Sequence, residues 1–187
     1  CYTVLGGYNN SFRQLPDFDM WVRLIKKYSI FVDTLPLIYF RILPGENASS
    51  STIKNNIRVI NEHYLIAESF FEGVSEKLFL EAFSDCLFPI SAVEERNIDI
   101  EKILQYIGNT AILSNIYNVI GLRKLYDLMQ DKNRRATLEN IYGINDKKFQ
   151  DLSSQITTFK PSAETIKSRI FKKLRKTINL IKMNNKF

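Results

Sequence analysis

Asp17 and Asp19 stand two residues apart in Leu15-Pro16-Asp17-Phe18-Asp19-Met20-Trp21-Val22-Arg23-Leu24, the densest cluster of chemically capable side chains in the chain. Two carboxylates invite general acid–base chemistry. At this spacing on a helix, however, they point about 200° apart, so they are not a matched pair. One can face a cleft while the other caps the helix or faces solvent. Asp17, at the helix start, can take a proton from an attacking hydroxyl that comes within hydrogen-bond reach. An Asp in a first turn is also an ordinary partner of the helix dipole, and spacing alone favours that plainer role. Upstream, Gly6-Gly7-Tyr8-Asn9-Asn10 reads as a turn. It lacks the lysine or third glycine of a phosphate-binding loop. There is no GxSxG nucleophile elbow. Cys86 has apolar neighbours at helical spacing and reads as core rather than nucleophile. His63, between Glu62 and Tyr64, reads as a surface histidine without an evident partner. As the only histidine, it excludes a His-rich metal site.

The elements that must position this cluster follow from periodicity. Pro16 and Asp17 suit a first helical turn, and the pattern predicts a helix from Asp17 to Tyr28 with Met20, Trp21, Leu24 and Ile25 as its apolar stripe. Ser29–Val32 and Leu37–Ile42 are β-branched and aromatic, and predict two short strands around an Asp33-Thr34 turn. Pro44-Gly45 and the polar run to Ser51 form a loop. From Thr52 the pattern is helical throughout. Ile53, Ile57, Ile60, Tyr64, Ala67 and Phe71 predict one buried face, with Ser51 or Thr52 as cap and Gly73 as stop. Ser75 opens a second helix that turns Phe79, Ala82, Phe83 and Cys86 inward and ends before Pro89. Asp99 caps a third, carrying Ile100, Ile103, Leu104 and Ile107. Gly108 and Gly121 are the candidate breaks in 98–131. The second helix of that stretch carries Leu122, Leu125, Tyr126 and Met129. Arg134–Tyr142 is a short helix stopped by Gly143. Residues 144–165 read as a loose polar connection.

Charge is unevenly spread. The 187 residues hold 26 Lys+Arg and 20 Asp+Glu, a net of +6. Residues 166–187 hold eight of the cations and no acid, which leaves 18 cations against 20 acids elsewhere, a net of −2. This tail is amphipathic at helical spacing, with Ile166, Ile170, Leu174, Ile178 and Ile181 in one stripe. Such a helix can lie on an anionic membrane surface, or dock on its own domain with its cations solvated. Nucleic acid is a third and weaker reading of the tail and is not expected as a partner, because aromatic interleaving and a recognised binding motif are both missing. A hydrophobic share of 45% excludes wholesale disorder. Two cysteines exclude a disulfide-dense scaffold, and no apolar run is long enough to span a bilayer.

Residues 6–43 carry a resemblance. Gly6 and Gly7, then Pro16-Asp17-Phe18-Asp19-Met20-Trp21-Val22-Arg23, then Phe40-Arg41 resemble the end of the catalytic domain of family 2 glycosyltransferases, which have the GT-A fold. That family has a glycine-rich turn, an acidic motif running Glu-Asp-x-Asp-Leu-Trp-Leu-Arg, and a strand with Tyr-Arg or Phe-Arg. The resemblance implies that Asp17 is the general base for the acceptor hydroxyl. It implies a substrate-binding role for Gly6, Gly7, Asp19, Trp21 and Arg41, with Trp21 partly structural. Pro16 stands where the family has Glu. Leu43 stands where it often has a metal-ligating His, so no metal ligand is expected from this segment; Glu46 and Asn47 are polar neighbours that read as loop. The nucleotide-binding half of such a domain, with its Asp-x-Asp pair for a divalent metal (Mg or Mn), is not in these residues.

The expectation is therefore a mainly α chain. Residues 1–50 are a short α/β remnant of a GT-A catalytic domain, 51–150 a helical extension, and 151–187 a connector and basic amphipathic helix. Its function is expected to be transfer of a sugar from a nucleotide-sugar donor to a glycan or lipid-linked acceptor. The expected location is the cytoplasm, at the inner face of the membrane. By itself the fragment is expected to be inactive and to hold no metal. The alternative is a non-catalytic helical module that binds a protein partner or a membrane surface.

Overall fold

A computed structural model describes residues 2–41, 43, 47, 50, 52–108 and 113–157. Those residues are mainly helical. The order is α1 (Tyr2–Leu5), α2 (Pro16–Ile25), α3 (Ile53–Glu68), α4 (Glu76–Phe83), α5 (Ile98–Leu104), α6 (Ser114–Gln130), α7 (Lys132–Asn140) and α8 (Asp146–Gln155), with short 3-10 turns at Ser84–Cys86 and Val93–Glu95. The chain divides into two compact units, Cys1–Ile156 and Thr157–Phe187. The basic tail, 166–187, lies outside the described residues. Among the described residues no helix is long and apolar enough to cross a membrane.

Side-chain caps start most of the helices. Thr52 Oγ1 accepts from Asn55 N at 3.1 Å and Ser75 Oγ from Leu78 N at 3.2 Å, as their types predict. Asn97, not Asp99, caps α5, accepting from the Asp99 and Ile100 amides. Asp99 instead lies in the first turn, where its charge faces the helix dipole. Asp131 caps α7 and so starts it two residues earlier than the apolar pattern indicates. Asn145 Oδ1 accepts from Lys148 N at 3.0 Å and opens α8 inside the stretch expected to be loose.

α6 is the centre of the packing, against α3, α5 and α7. One core joins Ile100 of α5, Leu125, Leu128 and Met129 of α6, Leu138 of α7, and Tyr142 and Ile144 beyond it. A second joins Ala67, Tyr106, Ile116 and Ile120. Gly121 sits where these meet. A Cβ there would lie 2.6 Å from Ile107 Cγ1 and 2.8 Å from Tyr106 Cβ, so only glycine lets the segment after α5 approach α6 this closely. The break foreseen in 98–131 therefore falls between α5 and α6, and Gly121 continues the helix. Polar groups close the structure at two points. Buried Glu101 accepts from Phe88 N at 2.9 Å and pairs with the Arg96 guanidinium. The Tyr142 hydroxyl accepts from Asn97 N and donates to Asn97 O, which uses both its hydrogen-bonding capacities.

Three expectations fail, each for a packing reason. Residues 29–41 form no strand; they run extended, with large apolar side chains in solvent: Phe31 is 88% exposed, Ile38 88% and Tyr39 103%. A strand needs a ladder partner, and the described residues supply none. The expected face of α3 holds only toward its end: Ile53, Ile57 and Ile60 are exposed, whereas Ala67 is buried with Tyr64 and Phe71 packed half-buried around it, and Glu62 and Ile66 are buried besides. Cys86 is an exposed free thiol on a 3-10 turn rather than a core residue, because α4 ends at Phe83.

Candidate functional site

The candidate site is built around the first turn of α2 and what holds that turn in place. Gly6, at φ +75°, ends α1 in the left-handed region and starts the reversal toward α2. Asn9 continues it, its Oδ1 accepting from Ser11 N and its carbonyl from Phe12 N. The three amides that lead into the helix then converge on one side chain. The Glu62 carboxylate, 5% exposed, accepts from Arg13 N at 2.9 Å and from Gln14 N and Leu15 N at 2.8 Å each. Charge-assisted bonds from three successive backbone donors fix the path of the chain just before Pro16.

The two aspartates divide as their spacing requires. Asp19 is tied to Arg23 one turn on, at 3.1 Å to Nε and 2.7 Å to Nη2. The same guanidinium donates to Leu5 O at 2.6 Å and Gly7 O at 2.9 Å. Arg23 thus clamps α1 and the Gly6-Gly7 turn onto α2 and satisfies carbonyls at the end of α1. Asp17 is exposed and forms no ion pair among the described residues; its Oδ1 accepts from Phe18 N at 2.8 Å. Near it is Tyr8, 53% exposed, whose ring lies 6.3 Å from that of Tyr2. The Tyr8 phenol is held above its usual pKa, first by its hydrogen bond and charge interaction with Tyr2, then by burial and the Asp17 carboxylate. Trp21, four residues after Asp17 on the same side of α2, is 57% exposed.

α2 is fastened to the helical core from beneath. Phe18 stacks on His63 with centroids 5.1 Å apart and planes 6° from parallel. His63 Nε2 is 2.7 Å from the Tyr117 hydroxyl. Burial lowers the His63 pKa and raises that of Tyr117, so the pair is kept as neutral imidazole and neutral phenol. His63 therefore has a partner after all, on α6, where no sequence spacing could show it. Lys26 Nζ donates to Ser69 O at 2.9 Å, and burial lowers its pKa against the pull of Glu72 and Asp19.

Of the residues expected at the site, Gly6, Gly7, Asp17, Asp19 and Trp21 come together on α2 and the turn before it. Gly7 contributes its carbonyl to Arg23. Arg41 is exposed on the extended segment, and its carbonyl accepts from Asn47 Nδ2 at 3.2 Å; nothing described joins it to Asp17. Glu62, Arg23 and the Phe18–His63–Tyr117 chain are supports that the sequence reading did not assign. Arg23 had a visible signal, the Asp-to-Arg spacing of four. For Glu62 the only signal was an acid four residues before Ile66. Among the described residues no group of three His, Cys, Asp or Glu side chains could hold a metal ion. Asp19 is engaged by Arg23, and the divalent metal that the resemblance implies is assigned to an Asp-x-Asp pair outside these residues. Compared with protein-family models, curated proteins and solved structures, the chain matches none of them.

Proposed function

We propose that the chain carries the acceptor-side part of a sugar-nucleotide-dependent glycosyltransferase, in which Asp17 is the general base. The single observation that carries this reading is the contrast between the two carboxylates. Asp19 is locked by Arg23, whereas Asp17 is presented to solvent on a turn held by Glu62 and Arg23. A base must be placed rigidly yet remain open to the hydroxyl it serves. Asp17 takes the acceptor proton as the acceptor oxygen attacks the anomeric carbon, and the nucleoside diphosphate leaves with its bonding pair. Gly6, Gly7, Asp19, Trp21 and Arg41 belong to this reading as positioning or substrate-contacting residues. The uncovered segment 29–41 and the exposed stripe Ile53, Ile57 and Ile60 support it too. Exposed extended apolar chain and an exposed apolar helix stripe each suit burial against an α/β half, which a nucleotide-binding half would supply. The proposed location is cytoplasmic, with the basic tail at an anionic membrane surface.

The test is sugar transfer by the whole enzyme that this reading requires, with and without Asp17→Asn. Loss of a base lowers kcat by about 10²–10⁴-fold. Undiminished transfer overturns the assignment. The uncovered apolar surface also favours a second reading, a non-catalytic module docking on a protein partner. In that case Asp17→Asn changes nothing, while a charge at Ile38 or Ile57 abolishes partner binding.

A further inference from the structure

We propose that the hollow between the end of α2, the turn after α3 and α4 takes one unbranched acyl chain, with the anionic head of that chain on Lys26. The hollow measures about 290 Å³, and its wall includes Ile25 and Lys26 at the end of α2, Phe70 and Phe71 after α3, and Leu78 and Phe83 of α4. Lys26 carries the only polar side chain in that wall, and Ala82 the smallest. Asp17 is not part of it, so the site stands apart from the base proposed above. The aromatic side of the wall is held open. The Phe71 ring meets those of Phe70, Phe79, Phe83 and Tyr106 steeply, at centroid distances of 5.0–5.6 Å. Phe79 stacks on Phe83 at 5.2 Å. Rings that hold one another in this way do not swing in to fill the space.

Size and charge select the occupant. At roughly 30 Å³ for each methylene, the share of a water molecule in the liquid, about 290 Å³ holds about eight to ten carbons of one chain. A peptide segment laid there would bring backbone N–H and C=O groups against a wall that offers them no partner. A methylene chain brings none. Lys26 then decides the head group. Among the described residues its ammonium has one hydrogen bond, to Ser69 O at 2.9 Å, and no ion pair. Burial already lowers its pKa, and an uncharged ligand would strip more water from it. An anion supplies the missing counter-charge. Lys26 also lines a second hollow, of about 250 Å³, whose other charged residues are Arg23, Lys27 and Glu72. Arg23 is taken by Asp19, so Lys26 and Lys27 face Glu72 alone and one positive charge is left over there. A cationic or neutral amphiphile is therefore disfavoured, and the ligand class is a medium-chain carboxylate.

The experiment titrates the chain with hexanoate, octanoate, decanoate and dodecanoate, each below its micellar concentration, and follows amide shifts by NMR. Saturable shifts at Lys26, Val74 and Ala82, all in the wall, are expected. Affinity should rise roughly fourfold with each added methylene up to about ten carbons, then level off once the hollow is full. Octanol should bind roughly tenfold or more weakly than octanoate, for want of the charge. Lys26→Gln should bring octanoate down to the level of octanol and leave octanol unchanged. Ala82→Phe should abolish binding of both by filling the hollow. Ala82 is exposed, so the fold is kept, which circular dichroism checks. If Ala82→Phe unfolds the chain, the chain-length series and Lys26→Gln decide alone. Equal affinity for octanol and octanoate, or no change in Lys26→Gln, overturns the proposal. So does a carboxylate that binds Ala82→Phe as well as the parent, since it then sits elsewhere on the surface. Shifts with phosphatidylglycerol vesicles but not with soluble carboxylates assign the hollow to a membrane surface and likewise overturn it. None of these outcomes bears on Asp17.

Discussion

Replacing Glu62 should destabilise the protein by loosening the turn ahead of α2 rather than by opening the core. Its carboxylate accepts three backbone amides at 2.8–2.9 Å. A hydrogen bond to a charged group contributes about 1.5–3 kcal/mol, so the three bonds set an upper limit of roughly 5–9 kcal/mol. The real loss is smaller, because Arg13 is exposed and Gln14 and Leu15 are half-buried, so water can reach the freed amides in Glu62→Ala. About 2–4 kcal/mol is expected, which with an ordinary urea slope lowers the denaturation midpoint by about 1–2 M. Glu62→Gln should fall near half of this. One amide oxygen can still accept, but the amide NH₂ then meets a backbone N–H. Hydrogen exchange separates a local from a global effect: protection at amides 13–15 should fall much more than at α6. A midpoint shift under about 0.3 M with unchanged exchange at 13–15 would refute the view that Glu62 holds this turn.

Gly121→Ala should cost about 1–3 kcal/mol by thermal or urea unfolding, since the new methyl would lie 2.8 Å from Tyr106 Cβ, which cannot swing away. The pH dependence of stability should show His63. Its folded pKa lies below the unfolded value, so this contribution is complete above about pH 6.5 and is lost as pH falls through the lowered folded pKa. His63→Phe should remove that slope, and a slope that persists would assign it to another group. Cys86 should be alkylated by iodoacetamide in the native protein at a rate near that of a free thiol, read by peptide mass spectrometry; protection that disappears only in urea would contradict its exposure.

What the sequence shows and what it conceals divide along a physical line. The starts of α3 and α4 are legible because Thr52 and Ser75 act on amides three residues away. Helix α8 escapes notice because Phe149 and Leu152 are its only half-buried apolar residues and the rest is polar. The buried face of α3 misleads for a different reason. Ile53, Ile57 and Ile60 are more apolar than Glu62, but burial follows from what α2 and α6 press against, and the turn ahead of α2 presents three amides to Glu62. Likewise the composition of 29–41 states a preference for extended chain but cannot state with what it pairs. At the site, the Asp17–Asp19 divergence and the Asp19–Arg23 spacing are written locally. The contacts that hold them, Glu62 at a separation of 47–49 residues and His63 to Tyr117 at 54, are not.

The two fasteners of the turn share a property with an evolutionary consequence. Arg23 grips the carbonyls of Leu5 and Gly7, and Glu62 grips the amides of residues 13–15. Both hold main chain, which every sequence possesses. The side chains of Tyr2, Tyr8, Asn10 and Arg13 can therefore change without releasing either fastener. Related chains could vary these positions freely while Arg23, Glu62 and the backbone of Gly6 stay fixed, as a loop diversified on a constant frame varies what it recognises.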